Sequence, residues 1–595
     1  MIQTRYRIAL LVSLFIVLSM GFMAGQTSPQ APEAQAAEWD GDFMKGWQSH
    51  DRLVKEQKYE AAASLVERML EKARGAKDNT EWTRCLVRVT RLRIALAGHE
   101  TAVRFLKEQP WPEDLAGSSI LNLYYAHALT DYARTHSWEI NKREKLETSG
   151  VADLEVWTRE QIYQEVEKAL EAVWQVRDRL EKPVDEWKEF LTPNTYPRGV
   201  RPTLRDAVSY LRVHNLADTN GWRPDELNEI FRLDLESLIA GDADGISLVD
   251  PARHPLEKIG AVLADLENRH AQKGEPEAAL EARLERCRHL HRHFTEAEDQ
   301  KRIQEDLEHR LEGYRGVPWW AEGMAQLAEF IRGGSEPDSM NRARERAIRG
   351  RSAFPDSPGG KHCLAIEHQI EAPEFTLAGM QNDNFLKKSL LVTHKNLEKV
   401  HFRAYAVDLL QAVETSDDYN LLPSGRELEK WMTGNAPVRQ WETPLPATPD
   451  YRMHKTFVTP PLERAGTYLI VASARPDFGK NDNRIAGLYL TIGDLVMVTR
   501  HEGTGAEVTV LSGASGKGVA NAEVMLYQFG YNQRHRRAET RLTDARGLVE
   551  FRIQLDAGGL LDGRELVLEL VVLDAHDDVA EHLDEAAVGV PDEAR

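Results

Sequence analysis

Cys287, His289, His291 and His293 fall within seven residues of one another. Thiolate and imidazole are the ligands that zinc and copper favour. On a helix, however, Cys287 and His291 share one face and His289 and His293 the other, so four ligands cannot converge. The segment is therefore read as packed or solvated helix. A second compact set is His362, Cys363, Glu367 and His368. There Cys363 and Glu367 share a face, and burial of the thiol in a last helix is expected. Gly513-Ala514-Ser515-Gly516-Lys517-Gly518 has the glycines and lysine of a phosphate loop. Gly518 stands where Ser or Thr would hold magnesium, and the stretch follows a strand pattern without opening a helix. It reads as a hairpin turn. The same stretch lacks a Gly-x-Ser-x-Gly elbow, and no His-Glu-x-x-His helix occurs in the chain. No catalytic residue, metal ligand or cofactor is assigned, and no enzyme is expected.

Two further groups suit contacts more than chemistry. Arg534-His535-Arg536-Arg537 interrupts an acid-rich region and is expected to top a hairpin between Phe529 and Thr540. A solvated loop is the plain reading, and a docking contact for an acidic partner the sharper one. Trp319 and Trp320 follow Pro318 and are expected to pack between helices, because large aromatics dominate core energetics.

The elements that position these residues follow from composition and period. The chain has 595 residues, and 75 Lys and Arg against 95 Asp and Glu give a net charge of -20. Single cores rarely exceed ~250–300 residues, so several domains are required. Hydrophobic content of 42% and charged content of 29% suit folded protein. The acid surplus excludes generic nucleic-acid binding and disfavours an anionic membrane surface. Cys85, Cys287 and Cys363 are too sparse for a disulfide framework. Stability must come from packing.

Arg5 and Arg7 precede an apolar run from Ile8 to Met23, and Ala34-Gln35-Ala36 before Ala37 is a small-x-small site. This pattern predicts a signal peptide over 1–36, cut between Ala36 and Ala37. The mature chain is then exported, periplasmic or extracellular, and membrane-anchored only if the segment stays uncleaved. From 37 to 370 the apolar spacing is helical. Tyr59, Ala62, Ala63, Val66, Met69 and Leu70 make one stripe. Helices are predicted over Trp82–Ala97, Ile120–Ala133, Trp157–Leu180, Leu227–Leu238, Glu298–Leu311 and Ala343–Arg351. Leu263–His270 and Ala278–His289 form a pair around Lys273-Gly274-Glu275-Pro276, with Pro276 at the first helical position. The pairs suggest a degenerate TPR-like helical repeat solenoid, an architecture that usually serves binding.

After Pro373 the period changes to two. Strands are predicted at Phe375–Leu377, Ser389–Thr393, Val400–Val407, Tyr468–Ala472, Leu488–Ile492, Leu495–Arg500, Ala506–Leu511, Val524–Phe529, Thr540–Leu542, Leu548–Ile553 and Leu566–Val572. They divide into two antiparallel β-sandwich domains, 371–490 and 491–573, followed by an acidic tail over 574–595. The first sandwich carries an insertion around Leu410–Met432. The fold class is thus multidomain, α then β.

An ordered set of residues runs through this junction: Phe354-Pro355-Asp356-Ser357-Pro358-Gly359-Gly360, Cys363–Pro373, His394-Lys395-Asn396-Leu397, Phe402-Arg403-Ala404-Tyr405, Pro449-Asp450-Tyr451, Pro461–Ile470 and Thr543-Asp544-Ala545-Arg546-Gly547. It resembles the N-terminal region of bacterial alpha-2-macroglobulin-like proteins, in which a helical segment precedes the first macroglobulin domains. The resemblance implies an endopeptidase-inhibitor family whose bait and Cys-Gln thioester lie downstream. None of the three cysteines has the Cys-x-Glu-Gln arrangement, so no thioester or bait residue is carried over. The expectation is the recognition or scaffold portion of such a protein, with proteases or other proteins as partners. The alternative is a cell-envelope protein-binding scaffold that inhibits nothing.

Overall fold

A computed structural model describes residues 39–143, 154–191, 194–243, 245–379, 388–416, 421–423, 425–502, 505–529 and 535–552, with the backbone of 567–573 and 581–586. The signal segment and its site at Ala36 and Ala37 lie outside the described residues. The chain divides into two compact units, the first ending at Ile366 and the second starting at Glu367.

The first unit is helical. It runs α1 (Phe43–Lys55), α2 (Tyr59–Ala76), α3 (Asn79–Glu108), α4 (Leu115–Thr135), α5 (Ser137–Ile140), α6 (Arg159–Trp174), α7 (Leu204–Leu216), α8 (Pro224–Asn228) and α9 (Leu235–Ala240). It continues with α10 (Pro255–Lys273), α11 (Pro276–His293), α12 (Ala297–Leu311), α13 (Trp320–Arg332), α14 (Ser339–Ala353) and α15 (Pro358–Glu371), whose last residues, from Glu367, belong to the second unit. Local chemistry sets the ends. Asp42, Asp78 and Asp114 cap α1, α3 and α4 by accepting hydrogen bonds from first-turn amides. Gly274, at φ 72°, closes α10, and Pro276 opens α11, as the turn chemistry predicts.

Three predicted helices differ. The helix expected over Trp157–Leu180 spans Arg159–Trp174 and gives way to a short 3-10 turn at Arg177–Arg179. The helix expected to end at Ala97 extends to Glu108, with a break at Gly98, whose φ of 84° and ψ of 175° no helix accommodates. The helix expected over Leu227–Leu238 is split, because Asp234 turns its carboxylate onto the amides of Glu236 and Ser237 and starts a new helix there. Adjacent helices pack as hairpins at α2–α3, α10–α11 and α13–α14, while the short segments from α7 to α9 interrupt any regular repeat.

In the second unit, β1 (Glu374–Gly379), β2 (Leu390–Lys395), β3 (Lys399–Val407), β4 (Arg439–Pro444), β5 (His454–Val458), β6 (Gly466–Ser473) and β7 (Ile485–Ile492) form two antiparallel sheets, ordered β1-β2-β5 and β4-β3-β6-β7. Phe375, Leu390, Val392, Phe402, Ile470 and Leu490 fill the space between them. The insertion supplies α16 (Leu409–Thr415) and α17 (Gly425–Gly434). These helices cover the outer face of the larger sheet, burying Tyr405, Val407, Leu469 and Val471. That explains a departure from strict alternation in β3, where Tyr405 is buried and not exposed. It also explains why β6 is buried along its whole length: both faces are covered.

The second sandwich comprises β8 (Leu495–Glu502), β9 (Gly505–Ser512), β10 (Glu523–Phe529), β11 (Arg536–Leu542), β12 (Leu548–Arg552), β13 (Val567–Leu573) and β14 (Glu581–Ala586). Its sheets are ordered β12-β9-β8 and β11-β10-β13-β14. Leu495, Val508, Val510, Val524, Leu526 and Phe551 make the core. The reading of 574–595 as a plain acidic tail is corrected at β14, which pairs antiparallel with β13 from Glu581↔Leu573 to Ala586↔Leu568. Pairing at a sheet edge uses backbone groups, so an acidic composition does not forbid it. Thr543–Gly547 forms a turn between β11 and β12. Asp544 Oδ1 accepts from the amides of Arg546 and Leu548, and Gly547 takes φ 80°.

The Pro358-Gly359-Gly360 run has a packing reason. A Cβ on Gly359 would stand 2.1 Å from the Glu322 amide nitrogen, so α15 approaches the α13 backbone as only glycine allows. Replacing Gly359 by Ala is expected to destabilise the helical unit by about 1–3 kcal/mol through overpacking. Urea denaturation followed by circular dichroism measures it, and an unchanged midpoint would refute the close approach.

Candidate functional site

The contact between the two sandwiches is built from the insertion and one strand. Along β10, Val524 and Leu526 face the second core, while Met525 and Tyr527 face the opposite way. Val413 of α16 packs against Met525 and Tyr527, with Leu410 and Leu421 at the margin, and all three central side chains are buried. The β10–β11 register shifts between Leu526 and Tyr527, where Leu526 pairs with Glu539 and Tyr527 with Arg537. Such a bulge re-aims a side chain. It brings Arg537 onto Tyr527: the guanidinium Nε donates to the Tyr527 hydroxyl oxygen at 3.1 Å, and that hydroxyl donates to Glu414 Oε1 at 3.0 Å. Arg537 also pairs directly with Glu414.

This placement corrects the reading of Arg534–Arg537 as a loop-top cluster. Arg536 and Arg537 lie in β11, His535 is buried, and Arg537 is committed to the contact between sandwiches. Arg534 lies outside the described residues. The sequence carried no mark of this. Glu414 and Arg537 are 123 residues apart, and only the bulge and the insertion bring them together.

In the helical unit, α11, α13 and α15 align polar side chains along neighbouring faces. Glu281 of α11 is fully buried, accepts from the Trp319 indole at 2.9 Å and pairs with Arg201. Arg288 pairs with Glu285, and its Nε donates to Gln326 Oε1 at 2.7 Å. His362 of α15 sits between two carboxylates of α13, with Nδ1 3.2 Å from Glu322 Oε1 and Nε2 3.4 Å from Glu329 Oε1. Burial opposes its charged form, but the two carboxylates outweigh burial and raise its pKa to about 10. His270 of α10 has the same logic. Its Nε2 meets Asp206 Oδ1 of α7 and its Nδ1 meets Glu275 Oε2, each at 2.7 Å. Burial again works against the charge, and again the carboxylates win and raise the pKa.

The candidate metal cluster is divided by the helix, as its spacing requires. Cys287 is buried, and burial pushes its thiol up to about 11. His291 stacks on Phe330 with ring centroids 3.9 Å apart, and His293 on Trp222 at 5.0 Å. Burial lowers both imidazoles to about 4, so each is neutral near pH 7. His289 lies beside Glu285. Among the described residues no three His, Cys, Asp or Glu side chains group to hold a metal ion. Cys363 is buried and its thiol donates to the Ala321 carbonyl. Trp319 and Trp320 are buried. The segment Gly513–Gly518 turns between β9 and a bridge from Leu511 to Gly518. The imidazoles of His270 and His362 have both nitrogens occupied by carboxylates, an arrangement that fixes charge in place and leaves no basic nitrogen for proton abstraction.

No family model matches the chain, and no curated protein matches it. Among solved structures, a crystal structure of native alpha-2-macroglobulin from Escherichia coli spanning domains MG0-NIE-MG1 is similar at 17% identity and a TM-score of 0.26. The match covers 36% of this chain and 64% of that one. A second structure of that protein, spanning domains NIE-MG1, is similar at 17% identity and a TM-score of 0.27, over 36% of this chain and 96% of that one. Scores of this size lie below those at which two whole chains share a fold.

Two outcomes follow from the geometry. His362→Gln is expected to cost about 1–3 kcal/mol where the histidine is charged and both glutamates are ionised. Because the folded pKa lies above the usual 6.5, that contribution is complete below about 6.5 and is lost as the pH rises through about 10. Denaturation of both proteins from pH 5.5 to 10.5 checks it; a gap that does not narrow contradicts the assigned charge. Val413→Asp is expected to abolish hydrogen-exchange protection in Leu409–Thr415 while Leu469–Val471 stays protected.

Proposed function

We propose that this chain is the N-terminal recognition and scaffold portion of an exported alpha-2-macroglobulin-like protein, of the endopeptidase-inhibitor kind, and that it binds proteins without catalysing a reaction. The observation that carries the reading is the ordered residue set at the junction, because its members have structural work to do. Gly359 admits α15 against α13. Asn396, at φ 53°, donates its side-chain amide to the carbonyls of Ile370 and Ala372 and closes the C-terminal end of α15. Gly547 takes a left-handed turn where a Cβ would stand 2.3 Å from the Val510 carbonyl. A helical unit that passes through α15 into a strand, then into two antiparallel sandwiches, is the order the resemblance implies. A degenerate TPR-like repeat is the reading we extend to the helical unit, and export is the reading we extend to residues 1–36. Among the described residues no helix is long and apolar enough to cross a membrane.

A second reading keeps the scaffold and drops the inhibition. It is favoured by the buried ion pairs of the helical unit, which hold a fixed surface without leaving a reactive group. Digestion of a large protein by a panel of endopeptidases, with the purified chain in molar excess, separates the two. The first reading expects slower cleavage of the large protein and unchanged cleavage of a small chromogenic peptide. Undiminished cleavage of both would remove inhibition and leave the scaffold. Export is tested separately by fusing residues 1–40 to a phosphatase that is active only outside the cytoplasm; an inactive fusion would remove it.

A further inference from the structure

A cleft of about 310 Å³ opens where the end of α3 meets α4 and α6, away from every contact described above. That volume is at the small end for ligand sites, large enough for one or two residues of a peptide and too small for a folded segment. Its apolar wall is preformed. The Trp111 indole donates to the Leu106 carbonyl at 2.8 Å, which holds the ring edge-on to the buried Tyr125 at 6.4 Å between centroids. Ala169 completes that wall.

The rim is cationic on a chain whose net charge is -20. Lys107 and Lys168 both face Glu165, at 3.5 and 3.0 Å. Two ammonium groups on one carboxylate leave a net positive charge at the mouth. Each ammonium has three N–H donors, so donors remain after Glu165 is satisfied. Lys107 is further held over the Trp157 ring at 4.8 Å. Across the cleft, the Asn122 side-chain amide donates to the Ser118 carbonyl at 2.9 Å, which orients its own oxygen as an acceptor.

We propose that this cleft binds the C-terminal residue of a peptide chain. The free carboxylate sits between Lys107 and Lys168, an apolar side chain lies against Trp111 and Ala169, and Asn122 accepts a peptide N–H. Two cations spaced around one anion, an apolar wall and a neutral amide match those three parts of a chain end. The site goes beyond the reading of the protein as a macroglobulin-like scaffold and does not depend on it.

Calorimetry of the full chain at low salt tests it with acetyl-Ala-Ala-Leu as the free acid and as its C-terminal amide. The free acid is expected to bind at least tenfold more tightly than the amide. Lys107→Gln with Lys168→Gln is expected to bring the acid to the level of the amide. Both lysines are more than a third exposed, so the fold should survive, and an unchanged melting curve verifies this. If the pair of changes unfolds the chain, Lys168→Gln alone carries the test, with a smaller loss of the same sign. Glu165→Gln removes a competing carboxylate and is expected to tighten the acid several-fold, which a merely structural role for Glu165 would not do. Equal affinity for acid and amide, no binding of either at millimolar concentration, or weaker acid binding in the Glu165 variant would each overturn the proposal.

Discussion

The second unit depends on apolar burial by one insertion. Helices α16 and α17 cover the outer face of the β4-β3-β6-β7 sheet and, through Val413, reach the second sandwich. Fully burying a side chain such as Val, Leu or Phe is worth ~1.5–3 kcal/mol, so several at once dominate this contact. The Glu414–Tyr527–Arg537 set lies at its margin, with Glu414 and Arg537 about half exposed. An exposed ion pair contributes little energy. What it contributes is register: the β11 bulge, the Tyr527 hydroxyl and the guanidinium agree on a single placement of α16.

The helical unit solves a different problem. Several of its pairs are buried, and a buried pair gains little over an apolar one of the same shape, while loss of one partner is costly. Glu281, Arg201, Asp206 and His270 therefore act as constraints on which helices meet. Asp206 shows how tightly this is wired. It caps α7 by accepting from Thr203, and its other oxygen receives His270 from α10. One carboxylate thus ends one helix and positions another.

Environment also divides the histidines of this unit. His270 and His362 face carboxylates and hold a charge, whereas His291 and His293 face aromatic rings and stay neutral. All four are plain histidines on helices. Identity and spacing marked His291, His293 and His362 but not His270, and only the facing element assigned each its state. The polar edge strands escaped for a related reason. Arg439–Pro444 and His454–Val458 bury little along their lengths, so they carry no apolar alternation to read.

What the sequence determined by itself is local and periodic: helical stripes before Pro373, two-residue alternation after it, the Gly274-Glu275-Pro276 turn and the Asp544–Gly547 turn. Each depends on neighbours within a few residues, and those are written in order along the chain. Tertiary structure alone decided the rest. The second buried face of β3 and β6, the capture of Arg537, the pairing of the histidines and the cleft between α3, α4 and α6 all join residues far apart in sequence. Their energies come from desolvation and charge between surfaces that do not exist until the chain has folded.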